Sequence, residues 1–190
     1  MNYLAHLYLA QDSPESLLGN LLGDFVKGRG IELYSDEIKK GIKFHQKVDV
    51  YTDSHPIFRE SKRLITPENQ RYAGLLIDVF YDHFLAKNWL DFSLVTLKEF
   101  VLKVYGILQT HEAILPEKLK CVLPHIIQKN LLMSYAEISG IDAALKRLSF
   151  RVKRENNIGS ASQELINNYK QLELNFNQFF PELIDYVKSA

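Results

Sequence analysis

The stretch Ala73–Ala86, AGLLIDVFYDHFLA, sets two aspartates and a histidine into a run that otherwise reads as protein interior. On a helical wheel of about 100° per residue, Leu75, Leu76, Ile77, Val79, Phe80, Tyr81, Phe84 and Leu85 surround the axis, so this helix is buried on most sides. Asp78 and Asp82 then stand one turn apart and nearly in register, with His83 about 100° further round. A carboxylate left unpaired in an apolar interior is costly, and two at i,i+4 repel each other and raise one pKa. A divalent cation would relieve both effects. A buried cationic side chain such as Arg71 would do the same for Asp78 alone.

Helical start signals recur outward from this stretch, whereas strand-like alternation is scarce. Ser13-Pro14-Glu15 orders an N-cap, a first-turn proline and an acid, predicting a helix through LLGNLLGDFVK that stops at Gly28. Ser35 or Asp36 caps a helix from about Glu37 to Thr52, ahead of His55-Pro56. Thr66-Pro67-Glu68 repeats the start signal before the opening stretch. Segments near 93–110, 117–137, 141–154 and 160–188 complete the helical pattern, with Gly106, Pro116 and Gly140 as punctuation. The expected fold is all-α, one globular multi-helix domain over residues 1–190.

Composition narrows the function. With 46% hydrophobic and 24% charged residues, the chain is an ordinary globular protein. A formal net charge of zero argues against broad adhesion to nucleic acid or membrane. The single cysteine, Cys121, precludes an intramolecular disulfide and fits a reducing, cytoplasmic setting. The opening MNYLAHLYLAQDSPE lacks a basic flank and ends too early to span a membrane, so it reads as part of the fold. No P-loop or dinucleotide fingerprint opens a helix, GDFVKGRG carrying its glycines after one, and KCVLPH gives Cys121 no nucleophile context.

Further inward-facing polar residues lie on two other helices. In EIKKGIKFHQKVDVYTD, Asp49 falls about 40° and Thr52 about 20° from His45, on the side of Ile38, Ile42 and Val48. Lys39, Lys40, Lys43, Gln46 and Lys47 fall on the other side, so His45 and Asp49 face the core. Asn20 and Asp24 stand one turn apart beside Gly19 and Gly23, where small residues admit a close neighbour. The candidate site is therefore Asp24, His45, Asp49, Asp78, Asp82 and His83, with His6, Asp53 and His55 behind them. Mixed histidine and carboxylate donors suit manganese, iron or zinc, and magnesium where carboxylates dominate. The plainer readings are a hydrogen-bonded core histidine at His6 and a helix-ending turn at Asp53-Ser54-His55. Acids facing the core on three helices favour a metal site over several separate structural explanations.

These segments also resemble a known family, the acyl carrier protein phosphodiesterases. The likeness is carried by MNYLAHLYLA, SPESLLGNLLGDFVKG, GIKFHQKVDVYTDSHP and RYAGLLIDVFYDHFLAKNW. It continues more weakly in LLMSYAEISGIDAAL and ASQELINNYKQLELNFNQFFPEL. The chain departs from the family pattern at Tyr3 and Tyr51, where phenylalanine is expected, at Gln46 for a basic residue and at Leu131 for tryptophan. The resemblance implies an all-α fold distantly related to the HD-domain metal phosphohydrolases. It implies hydrolysis of the phosphodiester joining 4'-phosphopantetheine to a serine of holo-acyl carrier protein, with Mn2+ the expected metal and Mg2+ or Fe2+ as alternatives. Transferred as a constellation, the metal role falls on Asp24, His45, Asp78 and Asp82, with His83 or Asp49 as a further ligand or orienting group. Asp24, Asp49 or His83 is the expected proton acceptor, and His6 and His55 are the candidate acids. The partner would be the acidic carrier protein, docked on Lys39, Lys40, Lys43 and Lys47, with Lys27 and Arg29 extending the patch. Competing readings are a metal phosphohydrolase acting on a small phosphoester and a non-catalytic carrier-binding protein.

Overall fold

The computed structural model describes residues 1–189, and among these every regular element is a helix. In chain order they are α1 (Tyr3–Leu9), α2 (Pro14–Leu22), α3 (Asp36–Ser54), α4 (Pro56–Arg63), α5 (Ala73–Lys87) and α6 (Leu97–Thr110). There follow α7 (Glu117–Gln128), α8 (Leu131–Ser134), α9 (Ile138–Arg151), α10 (Ser162–Asn167) and α11 (Tyr169–Ser189).

The helix α5 is the axis of the core, with eleven of its 15 residues buried. It packs against α1, α4, α9 and α11. Tyr81 shows how a polar group is tolerated there. Its ring meets Phe58 and Phe176 edge-on at 5.8 and 5.4 Å. Its hydroxyl pairs with Ser61 Oγ at 2.7 Å, and Ser61 in turn accepts from Asn175 at 2.8 Å. Both buried hydroxyls are therefore satisfied, which avoids the cost of an unmade hydrogen bond.

Local signals explain several helix starts. Ser13 Oγ accepts from the Ser16 amide to cap α2, and Ser35 Oγ accepts from Ile38 to cap α3. A full capping box, Thr96 with Glu99, begins α6 at Leu97, four residues later than the pattern near 93 suggests. Two expectations are corrected. The first is the end of α2, which stops at Leu22 with Gly23 as its cap, while Gly28–Leu33 forms a separate 3₁₀ turn. The second is the start signal at Thr66-Pro67-Glu68, which yields a turn and a short 3₁₀ helix before α5 begins at Ala73. The reason is tertiary: buried Glu164 of α10 takes the Thr66 amide (3.3 Å), its hydroxyl and the Asn69 side-chain amide (3.0 Å).

The α2–α3 pair is joined backbone to backbone. A Cβ at Gly19 would lie 2.4 Å from the Ile38 carbonyl oxygen and 2.7 Å from Gly41 Cα. The close neighbour admitted by the small residues of α2 is thus helix α3. Glycine is required at this crossing because any side chain would force the two helices apart.

Candidate metal centre

Three side chains from two helices bring ligand atoms together at the surface end of the α1–α3 contact. His6 of α1 and His45 and Asp49 of α3 place one donor atom each within 4.8 Å of one another. His6 Nε2 lies 3.1 Å from Asp49 Oδ1, and His45 Nε2 lies 3.2 Å from Asp49 Oδ2. Asp24, in the loop that leaves α2, reaches His45 Nε2 at 3.6 Å. Both imidazoles are buried, whereas the Asp24 and Asp49 side chains are each 43% exposed, so the carboxylates form the open side of the cluster.

The orientation of His45 is fixed from behind. Its Nδ1 donates to the Asn20 carbonyl at 2.8 Å, which directs Nε2 at the acids. Gly23 makes room for the ring, because a Cβ there would sit 2.4 Å from His45 Cγ. A histidine whose second nitrogen is held by a backbone carbonyl is the usual arrangement around a bound metal. His6 stacks on it with ring centroids 3.7 Å apart. Two imidazoles so close do not both carry charge. Burial lowers His6 to about 4, helped by the charges of the Met1 amino group and of His45, although its hydrogen bond to Asp49 works the other way. Burial also works to lower His45, but Asp24 and Asp49 outweigh it and raise the ring to about 9. Burial alone would raise Asp49, yet hydrogen bonds from His45 and His6 hold it well below the usual carboxylate range.

The buried Met1 amino group completes the charge pattern. It lies 3.0 Å from Asp78 Oδ1 and 3.5 Å from Asp49 Oδ1. Burial opposes its charge, but Asp78 and Asp49 raise it to about 10. Asp78 itself is pushed up by burial against that neighbouring ammonium. A cation therefore sits where the carboxylates of α3 and α5 converge, and the imidazole nitrogens of His6 and His45 adjoin it. This donor set fits a divalent transition metal or manganese.

Asp82 and His83, the adjacent pair of the opening stretch, point elsewhere. Asp82 is fully buried, and its two oxygens accept from the Leu4 and Ala5 amides at 2.8 and 3.1 Å. It caps α1 from across the core, where Asn2 makes no side-chain cap. Burial raises its carboxyl to about 7 against the two amide bonds, which lower it. His83 has both nitrogens engaged, Nδ1 with the Tyr135 carbonyl and Nε2 with the Tyr169 hydroxyl, each at 2.8 Å. Neither residue is brought to the cluster. His55 ends α3 and pairs through Nε2 with Glu182 at 3.1 Å, again apart from it. Asp53 is exposed near the rim, and its charge is felt at Asp78.

On the outer face of α3, Lys40, Lys43 and Lys47 are exposed, and Lys39 is paired with Glu32 and Asp36 at 3.2 and 3.6 Å. Two features were not among the leading sequence candidates. His6 stands at the centre of the cluster, and the Met1 amino group supplies its cation. No spacing rule marks either, because both depend on the packing of a seven-residue helix against α3.

No helix is long and apolar enough to cross a membrane among the described residues. No solved structure matches the chain. A protein of Pectobacterium atrosepticum named acyl carrier protein phosphodiesterase is 34% identical over 190 residues, covering 100% of this chain and 98% of that protein. Proteins of the same name from Serratia proteamaculans (36% identical, 99% and 98% covered) and Photorhabdus laumondii (33%, 100% and 96%) are equally full-length matches. The family profile described as Acyl carrier protein phosphodiesterase matches residues 1–183. The chain belongs to the acyl carrier protein phosphodiesterase family.

Proposed function

We propose that this protein hydrolyses the phosphodiester between 4'-phosphopantetheine and a serine of holo-acyl carrier protein, yielding the apo-carrier and free 4'-phosphopantetheine. The observation that carries the reading is the convergence of His6, His45 and Asp49 on one point, with Asp24 and Asp78 beside it. In this proposal His6, His45 and Asp49 would hold a divalent ion, Mn2+ first and Mg2+ or Fe2+ as alternatives, with the Asp24 and Asp78 carboxylates beside it. Such an ion would lower the pKa of bound water and offset phosphate charge.

The chain's own groups then divide the remaining work. The Asn20 carbonyl keeps His45 Nε2 aimed at the site. Asp24, half exposed at the mouth, takes the proton of the attacking water at a carboxylate oxygen. Asp82 fixes α1 and so positions His6. The cytosol, where such a carrier is found, is the proposed compartment. The exposed lysines of α3 serve as an electrostatic guide for an acidic carrier.

Incubating holo-carrier with the purified protein and Mn2+, followed by intact-mass measurement of the carrier, tests the proposal. Loss of the phosphopantetheine mass is the expected result. An unchanged carrier with Mn2+, Mg2+ or Fe2+ demonstrably bound would overturn it, and turnover of bis(p-nitrophenyl) phosphate in that situation would redirect the assignment to small phosphoesters.

A further inference from the structure

Behind α1, on the side away from His6, lies a pocket of about 110 Å³ between α1, α6, α7, α8 and α9. Its floor is apolar and buried: Leu7, Leu108, Leu119, Leu132 and Ala144 are each at most 5% exposed. Its rim is different in kind. Tyr3 and Phe25 stack there with centroids 6.0 Å apart, and Arg147 and Arg151 enter from α9. Arg151 donates to the Tyr3 hydroxyl at 3.4 Å. Among the described residues, neither arginine has a carboxylate partner within ion-pair distance. Arg147 is partly buried, and burial and the Arg151 charge both weaken its hold on its proton. Two guanidinium groups without a carboxylate partner, at the mouth of an apolar cavity, form an anion site above an apolar slot.

We infer that this pocket binds a free single-chain carboxylate, a medium- or long-chain fatty acid, with the alkyl chain between Leu108, Leu119 and Leu132 and the head group on Arg147 and Arg151. The apolar floor accounts for the chain, since each methylene withdrawn from water strengthens binding roughly threefold to fourfold. The arginines account for the head group, because an arriving carboxylate supplies the charge that neither receives from the protein. The site is separate from the His6–His45–Asp49 cluster and is joined to it through α1, whose Tyr3 and Leu7 line the pocket while His6 faces the cluster.

The test is a fluorescence titration of the full chain with 11-(dansylamino)undecanoic acid, followed by displacement with unlabelled ligands below their micellar concentrations. Saturable micromolar binding is expected, with dodecanoate displacing the probe at least tenfold better than dodecanol. Arg147→Met with Arg151→Met should abolish that preference. Leu148→Trp, at the partly buried wall, should weaken probe binding at least tenfold in a protein whose far-UV spectrum is unchanged. Leu108→Trp should do the same at the floor if it folds. Absence of saturable binding would overturn the inference, as would equal displacement by dodecanoate and dodecanol or undiminished binding in folded Leu148→Trp protein. Displacement by dodecanoylated carrier protein when free dodecanoate has no effect would also overturn it, by assigning the pocket to a tethered chain.

Discussion

His45 and His83 look alike until their second nitrogen is followed. Each is buried, and each ties Nδ1 to a backbone carbonyl at 2.8 Å. His45 then presents Nε2 to two half-exposed carboxylates, whereas His83 presents it to the Tyr169 hydroxyl. Asp49 and Asp82 repeat the contrast, one facing imidazoles and an ammonium, the other saturated by two amides of α1. Burial of a polar side chain therefore does not identify a working site. What separates the two regions is whether the outward atom meets titratable partners beside solvent or a fixed structural partner inside the core.

The largest effect that tests this contrast is on activity and metal content together. His45→Ala or Asp49→Ala should lower carrier hydrolysis at least about a thousandfold and remove bound Mn2+ measured by elemental analysis. His83→Ala should keep its metal and stay within about tenfold of the parent activity, so equal metal loss in both variants would collapse the distinction. Next comes stability. Asp82→Ala strips the cap of α1 and leaves buried amides unpaired, for an expected loss of about 2–4 kcal/mol in urea unfolding. Asp82→Asn should recover part of it.

The two histidines should also differ in the sign of their pH dependence in metal-free protein. The folded pKa of His45 is raised to about 9, so its stabilisation is complete below pH 6.5 and lost as pH rises through 9. That loss amounts to up to about 3 kcal/mol, and His45→Gln should flatten it. His83 is lowered, chiefly by burial, so its contribution is lost in the opposite direction, as pH falls below 6.5. Unfolding free energies measured across pH 5–10 in EDTA would decide. The smallest expected effect is at the surface: Lys40→Glu with Lys43→Glu should raise the KM for carrier a few-fold at low salt and change it little at high salt.

Much of this was legible beforehand, and the rest fails for identifiable reasons. The caps Ser13 and Ser35 are local, and the structure uses both. The wheel on α3 correctly turns His45 inward, because a 19-residue helix gives a clear periodicity, while Asp49 on the same side stays 43% exposed at the mouth of the cluster. Asp82 was equally visible as an inward acid, but its partners are backbone amides 77 and 78 residues away, which no side-chain pattern encodes. Glu164 hides in the same way behind its contacts to Thr66 and Asn69. The box from Thr96 to Glu99, by contrast, is written in the sequence as T-L-K-E and marks the start of α6 without any tertiary information.

The glycine crossing of α2 and α3 has a consequence for how the cluster responds to a ligand. With Gly19 and Gly41 in direct backbone contact, the Asn20 carbonyl, His45 and Asp49 ride on one stiff plate, with Asp24 in the loop at its edge. An arriving ion would find these groups already spaced, and any adjustment would fall to α1 and the Met1 amino group. Evolutionary or laboratory variation at positions 19 and 41 should thus change ion selectivity and loading rate even though neither residue carries a donor atom.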